Sequence, residues 1–153
     1  MYSRTATVLA WLSAAAFLAS WFLPVLEDVP GWMAFRYALA PLVPYRGAGD
    51  IAWDDSVPQV LSALTNVMFV VLFGLWLARQ MFRPGMFVRL ALVCVLLDLY
   101  WFVMAWRDPN GLSDLLYGYY VWMLAFVLMF AVSVLSVFAG RRTSRTPTAG
   151  RPA

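Results

Sequence analysis

Asp98 stands inside VCVLLDLYWF, Val93 to Phe102, a stretch otherwise apolar enough to sit in lipid. A carboxyl at the centre of a membrane helix costs about 2.5–3.5 kcal/mol on insertion scales, so such groups face a protein interior and often mark ion, proton or ligand pathways. Ser62 and Asn66 are the polar residues that can meet it, because they cluster with Ala63 and Gly74 on one side of another apolar run. Counted inward from Pro58 and from Trp106, Asn66 and Asp98 each lie eight residues down their helices, roughly 12 Å below one boundary at about 1.5 Å per residue. An amide and a carboxyl at one depth on antiparallel neighbours are expected to hydrogen-bond. Two roles follow. Asp98, Asn66 and Ser62 form a midplane site for a proton, cation or small ligand, or a protonated Asp98 is interhelical glue held by Asn66.

A dense aromatic set surrounds the same half of the chain's helices: Trp21, Tyr100, Trp101, Trp106, Tyr117, Tyr119, Tyr120 and Trp122. Tryptophan and tyrosine anchor helices at the headgroups, so one expectation is an interfacial belt. The other is that Tyr100, Trp101, Tyr119, Tyr120 and Trp122 line an outward-facing pocket above Asp98, with faces suited to a flat, cationic or lipid-like ligand. Periodicity does not separate the two.

The residues that are missing exclude more than those present reveal. There is no histidine, so the usual proton carrier and commonest metal ligand are gone. Cys94 is the only cysteine, which rules out an intrachain disulfide and a Cys-x-x-Cys redox pair. No nucleophile elbow, phosphate loop or zincin helix occurs. An enzyme, a bound metal and a cofactor are therefore not expected. Asp108 to Asp114, DPNGLSD, lacks the spacing and closing acid of a calcium loop, and Asp50, Asp54 and Asp55 read as a solvated acidic loop. All eleven basic residues are arginine, and they divide among loops and a tail rather than forming one basic face, so nucleic acid is not an expected partner.

The elements that position these groups are membrane helices. The 153 residues are 63% hydrophobic and 12% charged, against about a quarter charged in soluble domains. Four apolar segments of about 20 residues, the length that crosses the hydrocarbon, cover about 5–23, 60–78, 86–106 and 115–139. The first could be a signal peptide, but it exceeds an h-region in length and no small-x-small cleavage site follows, so a retained helix is expected. Arg4, Arg79, Arg83, Arg89, Arg141, Arg142, Arg145 and Arg151 fall on one side, and Arg36, Arg46 and Arg107 on the other. Positive residues resist translocation, which puts both termini in the cytoplasm. ARQMFRPGMF is a tight turn that makes the second and third segments antiparallel neighbours. The outer loop, 25–58, is expected to be structured, with a short interfacial helix over WMAFRYALA, Trp32 to Ala40. Residues 141–153 read as a disordered basic tail after a membrane domain spanning 1–140.

Helices in lipid meet through small and polar side chains. Ala6, Ser13, Ala16 and Ser20 form such a stripe on the first segment; Ala91, Cys94, Asp98 and Ala105 do so on the third. The fourth carries Gly118, Trp122, Ala125, Met129, Ser133, Ser136 and Gly140. YGYYVWMLAFVLMFAVSVLS, with PGWMAFRYALA and LTNVMFVVLFGLW, resembles small uncharacterised four-helix integral membrane proteins of bacteria, in which a Gly-Trp segment follows the first helix and Gly-Tyr-Tyr-x-Trp opens the last. The resemblance implies a fold and a cytoplasmic-membrane location but no activity. The expected protein is all-α, a four-transmembrane-helix bundle among membrane lipids. It is expected to be a non-enzymatic subunit or assembly partner of another membrane protein or of itself. The alternative is an oligomeric transporter or channel built on Asp98 and Asn66; a lipid-modifying enzyme ranks last.

Overall fold

The computed structural model describes residues 4–26, 29–43, 53–78, 84–107 and 115–143. Five helices and one small β-ribbon make up the described chain: α1 (Arg4–Ser20), β1 (Pro24–Leu26), β2 (Val29–Pro30), α2 (Gly31–Ala38), α3 (Trp53–Leu77), α4 (Pro84–Arg107) and α5 (Tyr117–Thr143). The protein is thus all-α in its framework. Three stretches are long and apolar enough to cross a membrane: Val57–Leu77, Gly85–Arg107 and Tyr117–Ala139. α1 is apolar but shorter, 17 residues, or about 26 Å at 1.5 Å per residue.

α1 ends at Ser20, three residues before the expected end of the first segment, and the reason lies in Pro24. A helix continuing through 24 would need its N–H for the Ser20 carbonyl, and proline has none. The last turn tightens instead, with Trp21 N donating to Leu18 O at 3.3 Å and Phe22 N to Ala19 O at 3.0 Å. The chain then folds back as β1 and β2, paired antiparallel. Gly31 N donates to Leu23 O, and Trp32 N to Trp21 O, both at 3.1 Å, which seats the start of α2 against the end of α1. A Cβ at Gly31 would run into the Ser20 carbonyl. At its other end α3 begins at Trp53, well before 60, and holds Pro58 within its second turn at the loss of one helical hydrogen bond.

α1, α3, α4 and α5 pack as a ring in which α5 lies between α1 and α4, and α3 beside α4. Contacts run in opposite senses along neighbouring helices: Ser13 meets Ala125, and Pro24 meets Gly118 at the far end. The end of α1, the start of α3, the end of α4 and the residues before α5 meet around one cavity (Ser20, Gln59, Arg107 and Leu115), so the direction is up-down-up-down, and the start of α1 and the end of α5 share the other end of the bundle. Small residues let α1 and α5 approach closely: Ala6, Ala10, Ser13 and Ala125 are buried, and Ser13 Oγ donates to Ala125 O at 2.7 Å. Ala16, expected in that stripe, is only half-buried, while Phe17 is buried in its place. The ring closes between α1 and α3 through aromatics. Phe17 stacks on Phe69 with centroids 4.2 Å apart, and Trp11 meets Phe73 edge-on at 5.6 Å. Gly74, expected to face inward on α3, faces outward, because Phe69, Leu72 and Trp76 occupy the buried side.

Candidate functional site

Asp98 is completely buried, 0% exposed, and three helices converge on it. Thr65 Oγ1 on α3 lies 3.0 Å from Asp98 Oδ1 and 2.6 Å from Ser62 O. A hydroxyl with a single proton thus stands between two oxygens. The Ser62 side chain adjoins the same carboxyl. From α5, the Tyr119 hydroxyl donates to the Asp98 main-chain carbonyl at 2.8 Å. Asp98 Oδ2 has no hydrogen-bond partner among the described residues.

The expected bond between Asn66 and Asp98 is not made. Asn66 Oδ1 accepts from Trp122 Nε1 at 2.9 Å, and its Nδ2 donates to Ala63 O at 3.3 Å. Successive residues on a helix diverge by about 100°, so Asn66 turns toward α5 while Thr65 takes the side facing α4. Residue counting along an axis carries depth but not direction around it, and it passed over Thr65 for its neighbour. The signal available was the pair Ser62 and Thr65, three apart on one side of the same helix.

A cavity of about 790 Å³ opens at the hairpin end of the bundle. It exists because α1 stops short: beyond Ser20 its place in the ring is taken by the ribbon and by α2 lying across the gap. Trp21, Phe35 and the ribbon's Val25, Leu26 and Val29 form its apolar side. Gln59, Ser62 and Asn66 line it from successive turns of α3, and Arg107 at the end of α4 contributes the one charge among the described lining residues. Trp101, Tyr119 and Trp122, three of the five residues expected in an aromatic pocket, line it as well. Tyr100 and Tyr120 do not; they are 40% and 45% exposed and point out of the bundle.

Asp98 itself does not line the cavity; Ser62 stands between them, adjoining the carboxyl on one side and the open space on the other. No three metal-ligating side chains come together among the described residues. Asp54 and Asp55, expected in a loop, stand in the first turn of α3, and the tail expected from 141 is still helical as far as Thr143; Asp50, Asp108 to Asp114 and the residues beyond Thr143 lie outside the described residues. No family model, curated protein or solved structure matches this chain.

Proposed function

We propose that this chain is a non-enzymatic integral membrane protein of a bacterial cytoplasmic membrane, acting as a subunit or assembly partner of a membrane complex. In this reading it crosses the bilayer four times with both termini in the cytoplasm, α1 completing the crossings of the three longer helices. The observation that carries the assembly role is how the interior polar groups are used. Ser13, Thr65, Asn66, Asp98 and Tyr119 are each engaged in a bond within or between helices, which leaves the bundle interior as a scaffold and its surfaces as the working parts. Asp98 then joins α3, α4 and α5. A neutral carboxyl fits the hydrogen-bond chain best: Asp98 donates to Thr65, and Thr65 donates to the Ser62 carbonyl.

A second reading, transport through an oligomer, is favoured by the unpartnered Asp98 Oδ2 and by Ser62, which adjoins both the acid and the cavity. Native mass determination after gentle detergent extraction separates the two. A complex with a defined second protein, or a homo-oligomer without ion or solute flux in vesicles, supports the assembly role. A 17.3 kDa monomer contradicts it, and flux that disappears in Asp98→Asn establishes transport in its place.

A further inference from the structure

We propose that the cavity at the hairpin end binds a small membrane amphiphile whose polar head carries oxygen acceptors, a carbonyl or a carboxylate, on an apolar body. The proposal rests on the four-crossing membrane reading above, which puts the cavity at the outer surface of the bilayer. Its volume, about 790 Å³, lies within the roughly 300–1,000 Å³ typical of small-molecule sites.

The lining chooses the chemistry. Gln59, Ser62 and Asn66 recur at intervals of three and four residues, so they form a polar ladder along one face of α3. Asn66 retains a second amide proton beyond the one given to Ala63, and Gln59 offers a whole amide. These groups, with Arg107, make a donor-rich wall. Among the described lining residues Arg107 carries the one charge and no acidic side chain occurs, so the described lining suits an acceptor-bearing head better than a cationic one. Elsewhere in the lining, Trp21 and Phe35, 5.4 Å apart, and the ribbon's aliphatic side chains offer a surface for the apolar body. A ligand with an acceptor-bearing head and an apolar body matches both parts of this lining. Two sources share that chemistry: a long-chain carboxylate, and a flat ring ketone with an alkyl tail. Arg107 distinguishes them, since only the first carries a charge for the guanidinium to meet.

The test is native mass spectrometry of the full chain released from detergent micelles, with palmitic acid and a decyl-substituted benzoquinone added separately. A saturable one-to-one adduct with at least one probe is expected. Ala105→Phe, which fills the cavity from α4, should weaken it about tenfold or more, and Ala34→Phe, filling it from α2, should do the same if the first variant does not fold. If the source is a carboxylate, Arg107→Gln removes the palmitate adduct; if it is a ring ketone, the quinone adduct survives that change. No adduct with either probe, or adducts equally strong in a folded cavity-filled variant, overturns the proposal. The same spectra report the mass of the assembly, so a complex that persists without any adduct rejects the ligand and leaves the subunit reading standing.

Discussion

Thr65 holds the buried acid and the Ser62 carbonyl with one hydroxyl, so its removal tests how the polar cluster works. Interhelical hydrogen bonds in membrane proteins contribute about 0.6 kcal/mol on average and about 1.7 at most. A double-mutant cycle of Thr65→Val and Asp98→Ala, followed by detergent-induced unfolding, is expected to give a coupling of about 0.5–1.5 kcal/mol. Additive costs would separate the two side chains energetically. The hydrogen-bond chain also predicts a neutral acid: an infrared difference spectrum of the parent against Asp98→Asn should contain the carbonyl stretch of an un-ionised carboxyl, and a pair of carboxylate bands would contradict that. The acid was legible in the sequence because one charge in an apolar run has few explanations. Its partner was not, because Thr65 and Asn66 are consecutive and only the rotational setting of α3 decides which of them meets α4.

At the scale of elements, the positions that fix the hairpin end are two glycines. Gly118 at the start of α5 lies against the carbonyls of Leu23 and Pro24, as Gly31 lies against that of Ser20. An added methyl at either site meets backbone, which cannot move aside as a flexible side chain can. Gly118→Ala and Gly31→Ala are each expected to cost about 1–3 kcal/mol, whereas Gly74→Ala, with nothing within 4 Å of the added carbon, should be neutral or stabilise by up to about 1 kcal/mol. Detergent unfolding of the three variants checks the order, and an equal effect at all three would remove the close packing of ribbon, α1 and α5 from the account. The long helices were readable from their apolar length, and Pro24 marked the end of the first segment. The ribbon was hidden because two and three residues of extended chain leave no alternation to read, and its pairing to the residues just before α5, with Leu116 N donating to Val25 O at 3.0 Å, joins positions about ninety apart in sequence.

For the whole molecule, the cavity follows from unequal helix lengths: a short α1 leaves space at one end of a ring whose other members are longer. Apolar length alone establishes three spans, and the proposal for α1 rests on its packing along α5 and on the arginine distribution. The outer position of the cavity, the depth of Asp98 and the cytoplasmic tail all depend on that fourth crossing. Reporter fusions test it most directly, with a fluorescent protein that folds only in the cytoplasm and a phosphatase active only outside, each placed in turn at Met1 and at Ala153. Cytoplasmic signals at both termini are the expected result; termini on opposite sides of the membrane would leave three crossings and contradict the account.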